Sequence, residues 1–151
     1  YGSEKRYYNK VVGTNSRLDE LQAGLLRVKL SHLKDLNEER KNICDRYLRE
    51  TSNKKIILPK IRENATSVWH QFVVRCTERE KMIKYLNEKE IGTIIHYPIP
   101  PHLSEAYKYL GMKEGSLPIT EQYANEVLSL PLYNGMRTDE LNYIISCINR
   151  F

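Results

Sequence analysis

The sequence predicts an α+β fold in which a long N-terminal helix leads into a small antiparallel sheet of about three strands covered by helices. Three observations predict it. Apolar residues recur at helical spacing over residues 16–50, three short segments are rich in residues that favour strands, and charged or amphipathic helical segments separate and follow them. No internal repeat or low-complexity tract interrupts this pattern.

The long helix is predicted over residues 16–50. Its apolar residues lie about three, four or seven positions apart with charged residues between them, at Leu18, Leu21, Leu25, Val28, Leu36, Ile43 and Tyr47. Ser16 followed by Asp19 resembles a capping box. Asp19 and Glu20 also stand where the positive end of the helix dipole favours anions. We therefore expect the helix to begin at Ser16.

The strands are predicted in three short segments. Residues 68–76 predict the first, because β-branched and aromatic side chains predominate there. Residues 92–97 predict a second, which Pro98 and the prolines after it stop. Residues 129–132 predict a brief third strand, and Pro131 indicates that this strand lies at a sheet edge or reaches its end there.

The remaining segments are predicted to be a connection and four helices. Residues 51–66 are polar and lack periodicity, which is typical of a surface connection. Thr77 and Thr138 are expected to cap the first and last helices. The helices are expected at residues 77–90, 103–110 (ending at Gly111), 119–128 (preceded by Pro118) and 139–149. Four apolar residues of the last helix fall on one face: Leu141, Ile144, Ile145 and Ile148.

Length and cysteine content limit the class of protein. The 151 residues suit one domain or a lobe of a larger one rather than a complete large enzyme. The chain has no run of about 18 apolar residues and no export signal, so we expect a cytoplasmic protein without a membrane partner. The three cysteines, Cys44, Cys76 and Cys147, are widely spaced among apolar neighbours. They predict buried free thiols rather than a disulfide framework or a metal site.

The charge of the chain leaves two classes of partner to compare. A net charge of +5 could favour phosphate-bearing partners, either nucleic acid or a nucleotide-linked metabolite. Basic residues are interleaved with acidic ones, however, as in residues 37–41 and 78–81. Such mixed clusters are typical of solvated helix faces with local ion pairs. We therefore expect solvated faces there and no nucleic-acid partner.

One candidate site precedes the long helix. Residues 13–16, with the sequence Gly-Thr-Asn-Ser, stand immediately before the predicted first turn. Unpaired backbone N–H groups and the helix dipole favour a phosphate or a carboxylate at such a place. An ordinary helix cap is the alternative interpretation.

A second candidate site follows the predicted second strand. Residues 96–102 place His96, Tyr97 and His102 on a proline-rich loop, where polar groups often meet a ligand. A proline-stiffened turn is the alternative. Two histidines without a matching carboxylate or thiolate predict no metal site. Trp69 is expected in the core, because its neighbour His70 must point to the opposite face of the strand.

Four blocks of sequence together resemble the DegT/StrS family of sugar aminotransferases. They are residues 13–23 (GTNSRLDELQA), 69–72 (WHQF), 96–98 (HYP) and 128–133 (LSLPLY), in the family's order. The first block is the most diagnostic, and the resemblance spans almost the whole chain. The sequence contains no nucleophile elbow, phosphate-binding loop or dinucleotide-binding turn. Without the resemblance, the sequence therefore indicates only an α+β domain.

The resemblance implies an enzyme whose cofactor is pyridoxal phosphate. Family members are fold type I aminotransferases that transfer an amino group from glutamate or glutamine to a keto-sugar, usually nucleotide-linked. Their products feed polysaccharides, glycans and antibiotics. By this resemblance, residues 1–151 are the small C-terminal domain and linking helix of a larger aminotransferase, with the cofactor-binding large domain absent. The opening residue Tyr1 then looks like a cut.

The resemblance also implies roles for particular residues. Asn15 would reach the cofactor phosphate of the neighbouring subunit in a homodimer. His96 and Tyr97 would line the sugar-nucleotide cleft, with His102 on the same loop. No lysine here aligns with the Schiff-base position, so no catalytic residue is assigned and the chain alone is expected to be inactive. Two alternatives are a non-catalytic binding or regulatory module of the same fold and a pyridoxal-phosphate-dependent sugar dehydratase.

Overall fold

The computed structural model describes residues 11–151, together with the backbone of residues 3–5 and 8–9. The chain divides into two compact units, residues 1–35 and residues 36–151. In the first unit, strand β1 (Ser3–Lys5) pairs antiparallel with strand β2 (Tyr8–Asn9), and helix α1 spans Glu20–Ser31. Helix α2 (Leu33–Glu50) starts at the end of this unit and runs into the second.

The predicted long helix is therefore two helices, and its predicted start is wrong. Helix α1 begins at Glu20 with Asp19 as its N-cap, because the Asp19 carboxylate accepts hydrogen bonds from the N–H groups of Leu21 (2.8 Å) and Gln22 (3.4 Å). Ser16 lies in the irregular segment before it.

The break between the two helices falls at His32. The Ser31 hydroxyl donates to the Val28 carbonyl at 2.7 Å, and the His32 N–H turns back to the carbonyls of Lys29 and Leu30. These bonds satisfy carbonyls at the end of α1 and close the helix there. No residue of α1 is buried, and Leu21 is 74% exposed.

The second unit contains a three-stranded antiparallel sheet, which confirms the predicted fold class. Its strands are β3 (Ile56–Ile57), β4 (Phe72–Cys76) and β5 (Val127–Leu130), in the order β3-β4-β5. Phe72 pairs with Leu130 and Arg75 with Val127, while Ile56 pairs with Cys76. The third strand ends immediately before Pro131, where the proline predicted an edge or an end, but it covers Val127–Leu130 rather than the predicted residues 129–132.

Two strand predictions are corrected by the pairing. The segment 92–97 contributes only a single bridge between Ile94 and Ser129, because the prolines that begin at Pro98 cannot donate to a longer ladder. Strand β3 instead lies within the segment expected to be a connection, where two residues are too few to show alternation. Strand β4 begins at Phe72 rather than residue 68, because the chain turns at Trp69, whose φ is +50°.

Helices of the second unit lie close to their predicted positions. Helix α3 is Arg79–Asn87, α4 is Pro118–Glu126 and α5 is Thr138–Arg150. Residues Pro101–Leu103 and Glu105–Leu110 form 3₁₀ turns, and Gly111 ends the second with φ of +66°. The two threonine caps are wrong. Glu78 precedes α3 without a side-chain cap, and the N-cap of α5 is Arg137, whose backbone N–H donates to the Glu140 carboxylate at 2.9 Å.

The core lies between one face of the sheet and helices α2, α3 and α5. Phe72 stacks on Tyr47 with ring centroids 4.8 Å apart and contacts Trp69 at 5.6 Å, so Trp69 is a core residue as predicted. The predicted apolar face of α5 is buried. All three cysteines are buried and free, and burial raises the pKa of the Cys44 thiol to about 12. In the described range, no helix is long and apolar enough to cross a membrane.

Candidate functional site

His96 and Tyr97 lie on the loop that leaves the Ile94 bridge and enters the proline segment. The His96 ring is half-buried, whereas Tyr97 is 72% exposed. Their rings meet edge to face with centroids 5.5 Å apart, and the peptide bond between them is cis. The two residues that the sequence placed in one site are therefore in direct contact at the protein surface.

Two cavities meet at His96. The first has a volume of about 380 Å³ and the second about 320 Å³. His96 lines both, while Tyr97 lines only the second. The first is also bounded by His70, Gln71, Gly92, Thr93, Ile94, Ser129, Leu130, Pro131 and Leu132. Prolines 100 and 101, Ile99 and the residues Ile119, Thr120, Tyr123, Ala124 and Val127 complete the second.

The His96 ring is held by a buried serine of the sheet. His96 Nδ1 lies 2.9 Å from Ser129 Oγ, within hydrogen-bond range. Ser129 is only 7% exposed and lies inside strand β5. One ring nitrogen of His96 is thus engaged by the protein, and Nε2 has no hydrogen-bond partner among residues 11–151.

A polar network from helix α2 fixes the walls of the first cavity. The Arg40 guanidinium donates to the carbonyls of Trp69 (3.2 Å) and His70 (3.3 Å) and to Asn134 Oδ1 (2.9 Å). Glu39 accepts from the Asn134 amide at 2.8 Å and from the Gly135 N–H at 2.7 Å. These bonds tie the segment before β4 and the turn after β5 to one helix.

The sequence did not reveal this network. Glu39 and Arg40 belong to the mixed-charge cluster at residues 37–41, which was interpreted as a solvated face, and for these two residues that interpretation is wrong. The Asn134 amide and the Gly135 N–H hold the pKa of Glu39 below its usual value, with a smaller contribution from Arg40. Only the tertiary fold brings the turn at Asn134 to this helix, since nearly a hundred residues separate them.

His102 occupies a different environment from His96. It is 7% exposed and lies outside the residues that bound the two cavities. Its Nε2 is 3.0 Å from Glu121 Oε1, and the same carboxylate accepts from the N–H groups of Gly115 (2.7 Å) and Leu117 (3.0 Å). This arrangement favours a structural role for His102, in which it ties the proline loop to the start of α4.

The Glu121 carboxylate gives a testable pH dependence. The N–H of Gly115, then His102 and the N–H of Leu117, hold its pKa below the usual 4.5. A carboxyl with a lowered pKa in the folded state stabilises the fold above pH 4.5, and this contribution is lost as pH falls through the folded pKa. In urea titrations, we expect the stability lost by Glu121→Gln to be largest above pH 4.5 and to shrink below it.

Glu105→Gln is the matched control for that experiment, because the Glu105 carboxylate is 92% exposed and contacts only Lys108 in the described structure. Its effect on the free energy of unfolding should be small at every pH. A stability difference for Glu121→Gln that does not change with pH would contradict the assigned role of this carboxylate.

Asn15 lies in the first unit, in the irregular segment before α1, and its side chain is exposed. The sequence placed it directly before the first helical turn, but the helix begins five residues later. The Asp19 carboxylate already occupies the first N–H groups of α1. An anion held by Asn15 would therefore be bound through the side-chain amide rather than by the helix end.

The described residues contain no cluster of three histidine, cysteine or acidic side chains that could hold a metal ion. The polar side chains that line the cavities around His96 are those of His70, Gln71, Thr93, Ser129, Tyr97, Thr120 and Tyr123, beside apolar walls. Such a site suits an organic ligand with oxygen acceptors, because apolar walls bury the ligand while a few polar groups orient it.

Comparison with known proteins gives the family to which this sequence and its fold belong. The sequence model of the DegT/DnrJ/EryC1/StrS aminotransferase family matches residues 1–149. This chain belongs to that family.

One curated relative is dTDP-3-amino-3,6-dideoxy-alpha-D-galactopyranose transaminase of Aneurinibacillus thermoaerophilus, 46% identical over all 151 residues of this chain and 41% of its own length. The chain thus spans about two-fifths of the length of that relative.

Solved structures agree with the fold. The crystal structure of DesV from S. venezuelae superposes with a TM-score of 0.90 at 38% identity, over 99% of this chain and 41% of DesV. The PLP form of the putative sugar aminotransferase Spr1654 from Streptococcus pneumoniae superposes with a TM-score of 0.81 at 26% identity, over 99% of this chain and 39% of that protein. Pyridoxal phosphate is therefore a cofactor found in this family.

Proposed function

We propose that this chain is the C-terminal small domain and linking helix of a pyridoxal-phosphate-dependent aminotransferase acting on a nucleotide-linked keto-sugar. The observation that carries the proposal is the family match over residues 1–149, together with a sugar-nucleotide transaminase 46% identical over the whole chain. The amino donor in this proposal is glutamate or glutamine. The remaining length of such an enzyme would supply the lysine that forms the Schiff base.

His96 and Tyr97 are the residues we assign to the sugar nucleotide. His96 stands between two cavities of about 380 and 320 Å³, so it can contact two parts of one extended ligand. Tyr97 exposes its phenol beside it, and both side chains can exchange hydrogen bonds with sugar or phosphate oxygens. Apolar residues also line both cavities, so a ligand can bury apolar surface there while these hydrogen bonds orient it.

The cofactor would be held only in part by this chain. Asn15 fits a role at the cofactor phosphate, because its exposed side-chain amide offers N–H donors for a phosphate oxygen. When bound, pyridoxal phosphate supplies the electron sink for amino transfer. In this proposal the residues of this chain bind and orient the two ligands. Asn15 binds the cofactor phosphate, and His96 and Tyr97 bind the sugar nucleotide. In the proposed homodimer, Asn15 acts on the cofactor of the neighbouring subunit.

Replacing Asn15 by alanine in the full-length protein is expected to weaken cofactor retention. Loss of a charge-assisted hydrogen bond to phosphate costs about 1.5 to 3 kcal/mol, which corresponds to roughly 10- to 150-fold in the dissociation constant. Equilibrium dialysis against pyridoxal phosphate measures the change. Thr14→Ala, at the adjacent exposed position, serves as the control. Equal cofactor affinity in wild type and Asn15→Ala would refute this assignment.

The proposed activity is tested directly with the full-length protein. Incubation with pyridoxal phosphate, glutamate and a dTDP-linked keto-sugar should give the amino sugar, detected by mass spectrometry, and no product should form without glutamate. A product that has lost water and gained no nitrogen would indicate the dehydratase alternative. No reaction with a panel of nucleotide-linked keto-sugars would favour the non-catalytic module.

The biological setting belongs to the same proposal. An amino sugar linked to a nucleotide is an activated donor for glycan assembly, so we place the enzyme in polysaccharide or glycan biosynthesis in the cytoplasm. The named activity of the Aneurinibacillus thermoaerophilus relative supports the substrate class. Chromatography of the full-length protein with light scattering tests the homodimer.

A further inference from the structure

Ser129 is a polar residue buried in an apolar strand. Its neighbours in β5 are Val127, Leu128 and Leu130, and every residue of the strand is buried. Its backbone is fixed by the bridge to Ile94, in which the Ser129 N–H donates at 2.8 Å and its carbonyl accepts at 3.3 Å. The hydroxyl therefore has a defined position, 2.9 Å from His96 Nδ1.

The direction of this hydrogen bond follows from the need to satisfy the hydroxyl proton. A neutral imidazole has one donor nitrogen and one acceptor nitrogen, whereas a serine hydroxyl has one proton. In the part of the chain that the structure describes, His96 Nδ1 is the sole hydrogen-bond partner of Ser129 Oγ. If Nδ1 carried the proton, the hydroxyl proton would have no acceptor among these residues and would have to turn toward the first cavity, which Ser129 also lines. Donation from Ser129 to Nδ1 leaves neither group unsatisfied.

We propose that Ser129 is a positioning residue that selects the His96 tautomer protonated at Nε2. His96 then presents an N–H donor to the ligand and so binds an oxygen acceptor. That this ligand is a nucleotide sugar rests on the proposed function. The assignment of the His96 tautomer is independent of it. In this role Ser129 acts through His96, because it fixes both the orientation of the ring and the nitrogen that carries the proton.

The tautomer can be measured on this 151-residue chain by ¹⁵N NMR of its four histidines. At about pH 8.5, two units above the ordinary histidine pKa of about 6.5, the neutral forms are observed. We expect the Nε2–H form of His96 in roughly tenfold excess, the ratio typical of one hydrogen bond. Ser129→Ala should lower this excess several-fold, and Ser129→Thr, which keeps the hydroxyl, should restore it.

His102 is the internal control in the same spectra. Its Nε2 faces the Glu121 carboxylate, so its own tautomer should not respond to substitution at Ser129. A dominant Nδ1–H form of His96 in the wild type would overturn the proposal without any variant. An unchanged tautomer ratio in folded Ser129→Ala would overturn it as well.

Kinetics of the full-length holoenzyme separate this inference from the proposed function. Ser129→Ala should raise the KM for the nucleotide sugar about tenfold with little change in the glutamate half-reaction, and Ser129→Thr should lower it again. If KM responds to neither Ser129→Ala nor removal of the His96 ring, the assignment of the ligand fails. The tautomer measurement still decides the role of Ser129, because it requires no ligand.

Discussion

Replacing His96 by alanine in the full-length protein is expected to raise the KM for the nucleotide sugar roughly 10- to 150-fold and to leave the half-reaction with glutamate intact. The imidazole lines both cavities. Its Nε2 has no hydrogen-bond partner among the described residues and can therefore bind a ligand. A hydrogen bond to a charged ligand group contributes about 1.5 to 3 kcal/mol, and each 1.4 kcal/mol corresponds to about tenfold in affinity. Steady-state kinetics with each substrate varied in turn measure both effects.

Two further variants in the same assay locate the ligand. His70 lines only the first cavity and Tyr97 only the second, so His70→Ala and Tyr97→Phe report on different parts of the site. Tyr109→Phe is the matched control, since Tyr109 is exposed and bounds neither cavity. A lost glutamate half-reaction in His96→Ala would instead place His96 at the cofactor.

Replacing Phe72 by alanine is expected to lower the free energy of unfolding by about 3 to 5 kcal/mol, the usual cost of removing a buried aromatic ring. Phe72 is fully buried, stacks on Tyr47, contacts Trp69 and pairs with Leu130 across the sheet. The cavity left behind would separate helix α2 from the sheet. Urea denaturation of the chain, followed by circular dichroism, measures the loss.

Val68→Ala is the control for this variant and also tests where the strand begins. Val68 is 62% exposed and precedes the turn at Trp69, although the sequence had placed it in the same strand as Phe72. Its substitution should change the free energy of unfolding by about 0.5 kcal/mol or less. A large loss for Val68→Ala, or a loss below about 1 kcal/mol for Phe72→Ala, would contradict this packing.

The sequence determined those features that depend on local periodicity and on chain-breaking residues. Leu141, Ile144, Ile145 and Ile148 recur at helical spacing, and α5 buries them as predicted. Gly111 ends its helical turn because glycine readily adopts a positive φ, and Pro131 follows the last strand because proline has no backbone N–H. Both effects involve only neighbouring residues, so the sequence is enough to predict them. The four blocks that resemble the family are likewise short stretches of sequence, so they can be recognised without the structure.

Only the tertiary structure decided which distant groups meet. Arg40 and Glu39 resemble surface charges in the sequence, yet they bind backbone and side chains near residues 69–70 and 134–135. The same holds for the two histidines, which look equivalent on one loop. Ser129 lies within hydrogen-bond distance of His96, which stands between the two cavities. His102 instead contacts Glu121 and lines neither cavity. Partners separated by some 20 to 100 residues leave no local pattern, because their pairing depends on how helices and strands pack.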